Sequence, residues 1–187
     1  GNLGGAFTLN GTLNWTGGRI SYTTMTIAPG GVLNLSGTAD KLLGGLTLTN
    51  GGTVNWTGTG KIIADLNSGS VPIVNQPGAL FDLQTDASLQ TANEYLRSFT
   101  FSNAGTFRKS AGSGTNIIGG SSNATFNNTG SVEVQSGALT IQSVFNNNGT
   151  CTVLMGSINL QGGGTSSGTF NTSASAALNF GGGTTTS

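Results

Sequence analysis

The chain has 187 residues, enough for one domain with a sizeable core, but only 6% of them are charged, against roughly 25% in an average soluble domain. Six basic and six acidic side chains give a formal net charge of zero. A neutral chain has no long-range field to attract nucleic acid or an anionic membrane, so we expect neither partner. No apolar run approaches the roughly 18 residues of a membrane-spanning helix, which argues against membrane insertion.

Short β-strands are predicted along the whole chain as copies of one pattern. Each copy reads apolar–x–apolar, a polar Asn/Gly turn, apolar–x–apolar, and usually a Gly. Eight copies occupy residues 7–18, 25–37, 46–58, 72–84, 99–112, 124–137, 144–156 and 168–182. A third short strand often follows, as at residues 62–63, 117–118, 139–141 and 158–160. No stretch has a 3.6-residue period over a useful length, so helices are not expected.

One inward column runs through all eight copies at steps of 19 to 27 residues: Leu13, Leu33, Val54, Phe81, Phe107, Val132, Cys151 and Leu178. The column two positions on is Trp15, Leu35, Trp56, Leu83, Lys109, Val134, Val153 and Phe180. A repeat of this length predicts a solenoid in which each turn buries its apolar face against its neighbours. We therefore expect an all-β fold, a single-stranded parallel β-helix of about eight rungs, right-handed as is usual, forming one domain over residues 1–187. The alternative is an antiparallel β-sandwich or barrel, which predicts no homologous columns.

The repeats also carry a family likeness. FNNTGSVEVQSGALTI at 126–141, GTFRKSAGSGT at 105–115 and the turns that end in GG resemble the degenerate repeats of large bacterial surface and secreted β-helix proteins, of the adhesin, filamentous-haemagglutinin and autotransporter-passenger type. The resemblance implies an extracellular or cell-surface rod and supplies no active-site residues. Because the pattern is under way at Gly1, we interpret the sequence as an excerpt of a longer repeat protein or a processed product. Further coils, or copies stacked end to end, are then expected to cover the terminal rungs.

A third column, at the middle of the second strand, is predicted to face outward: Asn14, Asn34, Asn55, Asp82, Arg108, Glu133, Thr152 and Asn179. Asn side chains at this spacing can hydrogen-bond along the stack. Asp82, Arg108 and Glu133 would be neighbours of alternating charge, so we interpret them as a surface ion-pair ladder. The alternative is a polysaccharide-lyase site with Arg108 or Lys109 as base and Asp82 as metal ligand.

Four further basic residues raise separate hypotheses. Lys109 stands in an otherwise apolar column, where an unpaired buried ammonium is costly, so we expect the strand to bend or the side chain to snorkel outward. A functional lysine is the alternative there. Arg19, Lys41 and Lys61 precede apolar strand starts at steps of 22 and 20 residues. They predict either a basic stripe that binds an acidic polysaccharide or a solvated edge partly neutralised by neighbouring acids.

Residues 90–98 (QTANEYLRS) are the predicted corner excursion, because they combine Glu94, Tyr95 and Arg97 with better helix formers than their surroundings. Loops on a rigid scaffold often carry function, which makes these three residues candidates for surface contact. The alternative is a short corner insertion that packs Tyr95 and Leu96 on the rod.

Recurring threonines are predicted to form one outward column: Thr8, Thr26, Thr47, Thr100, Thr125 and Thr169. A threonine ladder is similar to the surface of ice-binding proteins, although β-propensity alone also supplies one such column. Trp15 and Trp56 fall in the inward column and are expected in the core.

Enzyme signatures are otherwise absent. Without His the chain has no Ser-His or Cys-His nucleophile system, and the lone Cys151 is interpreted as a small buried hydrophobe. No Cys/His metal cluster is possible, and no cofactor is expected. The sequence predicts a non-enzymatic extracellular structural or adhesive rod (a stalk, surface adhesin or filament building block) with its own copies or surface polysaccharide as partners. The alternative is a carbohydrate-active β-helix that binds or cleaves polysaccharide.

Overall fold

The computed structural model describes residues 2–3, 5–65, 69–92, 99–120, 123–182 and 185–186. Within these ranges the chain forms 26 β-strands and no helix. Each strand has only two to five residues, because Gly, Asn and Ser interrupt the alternating apolar runs and favour turns. Three long sheets, here called A, B and C, result.

Sheet A has nine strands: β1 Asn2–Leu3, β4 Gly18–Ser21, β7 Lys41–Gly44, β10 Ile62–Ala64, β13 Leu89–Thr91, β16 Thr115–Gly119, β19 Ala138–Ile141, β22 Gly156–Leu160 and β25 Ala176–Phe180. Sheet B has seven: β2 Phe7–Leu9, β5 Thr24–Ile27, β8 Thr47–Asn50, β11 Val71–Asn75, β14 Phe99–Asn103, β17 Ala124–Asn128 and β20 Val144–Asn147. Sheet C has eight: β3 Thr12–Trp15, β6 Val32–Leu35, β9 Thr53–Trp56, β12 Leu80–Leu83, β15 Thr106–Lys109, β18 Ser131–Val134, β21 Thr150–Val153 and β24 Thr169–Thr172. Two short strands, β23 Gly164–Thr165 and β26 Thr185–Thr186, pair with each other.

The chain visits sheets B, C and A in that order, and seven successive turns from β2 to β22 place one strand in each. Neighbouring strands in every sheet are parallel, as shown by the pairs β3–β6, β5–β8 and β7–β10. The eight strands of sheet C span roughly 35 Å at the usual strand spacing. The predicted parallel β-helix is therefore confirmed, and the antiparallel sandwich is wrong.

The inward column is confirmed from Leu13 to Cys151, since consecutive members are register partners across sheet C. Its predicted last member is wrong. Cys151 pairs with Phe170 on β24, whereas Leu178 lies in sheet A opposite Ile158. The two companion columns shift in the same way: Phe180 and Asn179 belong to sheet A. The error arises because β25 repeats the apolar–x–apolar pattern of a sheet C strand.

Phenylalanines fill the middle of the rod. Phe81 and Phe107 stack from sheet C with ring centroids 5.6 Å apart, and Phe101 and Phe126 stack from sheet B at 4.9 Å. Edge-to-face contacts join the two stacks, for example Phe107 to Phe126 at 5.1 Å. These arrangements are the favoured ones for aromatic pairs, so the core is specifically packed across the sheets.

A ladder of buried asparagines, here called the inner Asn ladder, follows the last position of the sheet B strands: Asn50, Asn75, Asn103, Asn128 and Asn147. From Asn50 to Asn128, each amide Nδ2 donates to Oδ1 of the next member at 2.8 Å. The same nitrogens of the first four donate to backbone carbonyls of the following coil. The side-chain amides of the first four members are thus satisfied inside the rod, which permits their burial, whereas Nδ2 of Asn147 has no hydrogen-bond partner among the described residues.

A glycine in the B–C corner, two residues after Asn128 of the ladder, lets the coils approach closely. A Cβ at Gly130 would lie 2.2 Å from the carbonyl oxygen of Gly105. The same corner of the first coil holds Gly11, where a Cβ would meet nothing within 4 Å. Close stacking, rather than an unusual φ, therefore requires glycine at Gly130.

Candidate functional site: the charged ladder and the corner groove

Sheet C presents its polar column outward, beginning with three asparagines. Asn34 donates from Nδ2 to Oδ1 of Asn14 at 2.9 Å, and Asn55 donates to Asn34 at 3.1 Å. These amides repeat at the strand spacing because the three residues are register partners on β3, β6 and β9. A hydrogen-bonded row of three amides therefore precedes the charged residues in this column.

Asp82, Arg108 and Glu133 are the next register neighbours in this column. Arg108 donates from Nε to Oδ1 of Asp82 at 3.2 Å and from Nη2 to Oδ2 at 2.8 Å. Glu133 instead accepts hydrogen bonds from Ser131 and Gln135, each at 3.3 Å. The ion pair is a two-point contact between Asp82 and Arg108, with Glu133 as a more distant acidic neighbour.

The environment of Asp82 favours its charged form. Its side chain is only 3% exposed, and this burial acts to raise its pKa. The hydrogen bonds from Arg108, Ser110 and Gln84 outweigh burial and hold the pKa below its ordinary value. Hydrogen bonding to Asp82 in turn raises the pKa of Arg108. Asp82 and Arg108 therefore form an ion pair in which each group stabilises the charged form of the other.

Lys109 is fully buried, and its strand β15 pairs regularly through it, so neither the expected bend nor the expected outward snorkelling occurs. Its ammonium Nζ donates to Oδ1 of Asp86 at 2.9 Å and to the carbonyl oxygens of Thr85 at 3.3 Å and Ala111 at 3.1 Å. The hydrogen bond from Lys109 is the main reason that the pKa of Asp86 is lowered. The stem of Lys109 replaces an apolar side chain, and its charge is neutralised at the corner between sheets C and A.

The register does not align Arg19, Lys41 and Lys61 as a basic stripe. Arg19 pairs with Leu42, whereas Lys41 pairs with Gly18 and Ile62. The side chain of Arg19 binds Asp65. Lys41 points inward, fully buried, and donates to the carbonyl oxygen of Ala39 at 2.8 Å. Burial lowers the pKa of Lys41, against the opposing effect of Asp40. Lys61 is exposed at the C–A corner.

A groove of about 550 Å³ lies at the C–A corner, where each turn passes from its sheet C strand to its sheet A strand. Four consecutive corners here have five residues each, at 36–40, 57–61, 84–88 and 110–114. The corners before and after are shorter, at 16–17 and 135–137. Three of the long corners line the groove: Thr57, Thr59, Lys61, Gln84, Thr85, Asp86, Ala87, Ser88 and Gly112.

The outward threonines of sheet B form two columns rather than the one predicted. Thr8, Thr26 and Thr49 are register partners in one column, and Thr24 pairs with Thr47 in the other. Val74 follows Thr49, so the first column loses its threonines after three strands. The predicted member Thr169 belongs to sheet C.

The remaining predicted residues divide into core positions and positions outside the described part of the chain. Trp56 is fully buried and Trp15 nearly so, and each indole nitrogen donates to a backbone carbonyl. Burial raises the pKa of the Cys151 thiol to about 12. Glu94, Tyr95 and Arg97 lie outside the described residues, as does most of the predicted excursion, of which residues 90–91 belong to β13.

Metal-binding clusters and membrane-spanning helices are both absent from the described residues. No three His, Cys, Asp or Glu side chains come together there in a group that could hold a metal ion. No helix in the same ranges is long and apolar enough to span a bilayer.

Sequence reasoning missed both the inner Asn ladder and the groove. The inner Asn ladder could have been found, because an Asn ends the first strand of five successive copies immediately before the turn. The groove has a weaker signal in the long steps between the middle copies. Its lining depends on which corner residues face one another, which the repeat pattern leaves open.

Comparison of the chain with protein families, curated proteins and solved structures finds no match. The fold and the geometry of the described residues are therefore the basis on which a function can be proposed.

Proposed function

We propose that the chain is a non-enzymatic structural module of a bacterial extracellular protein, acting as a stalk, an adhesin rod or a filament building block. The observation that carries this proposal is the continuity of the stack, in which three parallel sheets run side by side through seven turns. Each turn binds its neighbours through three strand ladders, so the module holds a fixed length and presents fixed side-chain columns.

The internal contacts support a mechanical role. The phenylalanine stacks and the inner Asn ladder add side-chain contacts between coils to the backbone ladders. Because these contacts repeat along the axis, bending the rod would disturb several of them at once. Rigidity of this kind suits a spacer that holds another domain away from a surface.

The partners in this proposal are further coils of the same solenoid or a second copy of it. The side chain of Phe180 on β25, the last strand of sheet A, is 54% exposed, and most of β24 is exposed as well. An apolar, unpaired sheet edge is a template for another parallel strand. Addition of coils at this end would bury Phe180 and extend the sheets.

Small-angle X-ray scattering of the isolated chain tests the structural proposal. We expect an elongated particle whose length grows with protein concentration, and Phe180→Asp is expected to suppress that growth without changing the shape of the single particle. Surface labelling of intact cells that express the chain tests its location. A compact particle, or labelling seen only after lysis, would argue against the rod module.

The carbohydrate-cleaving alternative has its own test. Arg108 is held by Asp82, and the ammonium of Lys109 is buried. Neither side chain is therefore placed to take a proton from a substrate in this arrangement. Incubation with polygalacturonate, followed by ultraviolet absorbance of unsaturated sugar ends, should give no signal. A signal that Arg108→Ala abolishes would support a lyase and contradict the proposed function.

A further inference from the structure

The corner groove has the composition of a polar binding surface. Thr57 and Thr59 from one corner, and Gln84 and Ser88 from the next, bring hydroxyl and amide groups to its walls. The glycines of these corners keep the coils close; a Cβ at Gly60 would lie 2.1 Å from the carbonyl oxygen of Ala39. Because three successive coils contribute to the lining, the groove extends along the rod axis over roughly 10 Å.

The charges at the groove leave one cation unmatched. Asp86 lines the groove with a 43% exposed side chain, and the buried ammonium of Lys109 neutralises it from behind. Lys61 also lines the groove, and its ammonium makes no hydrogen bond or ion pair with any described residue. Of the neighbouring acids, Asp40 accepts the backbone N–H of Lys61 at 2.8 Å and is not among the residues that line the groove. Among the residues that line the groove, Lys61 therefore offers an ammonium group that is available to an anionic ligand.

We propose that this groove binds an acidic polysaccharide, with a uronate carboxylate on the ammonium of Lys61. Sugar hydroxyls on the same chain are hydrogen-bonded by Thr57 and Thr59 and by the partly exposed carboxylate of Asp86. A compact anion such as phosphate would use Lys61 alone, whereas a sugar chain also uses the hydroxyl-lined length of the groove. The site is independent of the rod function, because it requires only the three corners and not the assembly of copies.

Isothermal titration calorimetry at low salt tests the site with a tetramer of galacturonic acid and, as the neutral counterpart, a tetramer of galactose. We expect saturable binding of the acidic tetramer below about 1 mM, weakened by added NaCl. Lys61→Gln should weaken it about tenfold, the effect of one charge-assisted hydrogen bond, while Lys61→Arg should retain it. Lys61 is exposed, so these variants are expected to fold normally.

A matched pair of threonine variants separates the groove from the rest of the surface. Thr57→Val removes a hydroxyl from the groove and should weaken binding, whereas Thr16→Val makes the same change at an exposed residue outside it and should have no effect. The proposal is overturned if the acidic tetramer fails to bind, if the galactose tetramer binds equally well, or if Lys61→Gln binds like the unmodified chain. Displacement by an equal concentration of inorganic phosphate would likewise overturn it, since it would indicate a simple anion site.

Discussion

At the scale of single residues, the contact with Arg108 allows Asp82 to be buried while it is charged. The carboxylate of Asp82 is 3% exposed, while the guanidinium of Arg108 is 29% exposed. A buried carboxylate is tolerated because two nitrogen atoms of one arginine bind both of its oxygens. Removing the arginine alone would leave the carboxylate buried without its partner.

We expect Arg108→Met to lower the free energy of unfolding at neutral pH by about 2 kcal/mol, less than for a fully buried pair because Arg108 is partly exposed. In the unmodified chain the lowered pKa of Asp82 contributes stability above the ordinary carboxyl pKa, and this is lost as pH falls through the folded-state value. The variant loses the two hydrogen bonds from Arg108 and keeps those from Ser110 and Gln84, so burial then acts against a weaker opposing effect and the pKa of Asp82 rises. Protonation at low pH therefore relieves part of the penalty. Urea unfolding at several pH values should show the difference between the two proteins shrinking below about pH 4.

Glu133→Gln provides the control for this prediction, because Glu133 lies in the same column without the two-point contact. It should change the free energy of unfolding by less than about 1 kcal/mol. The double variant Asp82→Asn, Arg108→Met should recover part of the loss, since no charge is then left buried. A pH-independent effect of Arg108→Met would contradict the explanation.

The charged column could be placed from sequence because Asp82, Arg108 and Glu133 occupy the same position in three well-aligned copies. Lys41 and Lys109 could not be placed correctly. The side chain of Lys41 is buried because of the register in which β7 joins sheet A, and the preceding corner sets that register. Lys109 is neutralised by Asp86, which lies 23 residues earlier in the corner of the preceding coil. Repeat spacing carries no information about either.

At the scale of secondary-structure elements, the B–C corner shows how short strands turn without exposing polar backbone. The inner Asn ladder fills this corner, and the amide of Asn103 donates both to Asn128 and to the carbonyl oxygen of Ser131. The outer row on sheet C uses the same side chain differently, since Asn34 donates only to its neighbour on the surface. Identical residues therefore contribute unequally according to burial.

We expect Asn103→Ala to lower the free energy of unfolding by about 2 to 3 kcal/mol, because the buried amides of Asn75 and Asn128 each lose one hydrogen bond and a cavity replaces the side chain. Asn34→Ala is the matched control on the surface and should cost less than about 0.5 kcal/mol. Chemical denaturation of the two variants measures both values. Equal losses would show that burial of the ladder is not what stabilises the corner.

At the scale of the whole molecule, stability is expected to vary along the axis because each coil contacts only its neighbours. The middle coils combine the phenylalanine stacks with fully buried inward positions, as on β14 and β17. The strand β24 near the C-terminal end is largely exposed. Opening should therefore begin at that end and reach the middle last.

Hydrogen–deuterium exchange measured by mass spectrometry should show this gradient, with peptides covering β14 and β17 exchanging more slowly than those covering β24. Phe126→Ala should speed exchange in the middle coils far more than at the end, because its ring contacts Phe101, Phe107 and Phe145. Uniform exchange along the rod, or a variant effect spread evenly over all coils, would contradict a nearest-neighbour description.

The whole-molecule architecture was the part most accessible from sequence, because a near-constant repeat constrains every coil at once. The prediction failed where the repeat becomes ambiguous. The segment around Leu178 has the same alternation as the sheet C strands, yet the short β23 stands in for the sheet B strand of that coil and β25 belongs to sheet A. Alternation identifies a strand but not the sheet to which it belongs.

The inner Asn ladder has one further consequence, because all of its amides point the same way. From Asn50 onward each Nδ2 faces the following coil, and the carbonyl oxygens of that coil prevent the amide from turning round. At Asn147 this nitrogen has no hydrogen-bond partner among the described residues. The next coil of the chain has Ser166 opposite Asn147, so the ladder ends there although the stack of coils continues. The inner Asn ladder therefore gives the rod a direction: a coil that extended the ladder would have to place an oxygen opposite the amide nitrogen of the preceding Asn, which fixes the orientation of each added coil.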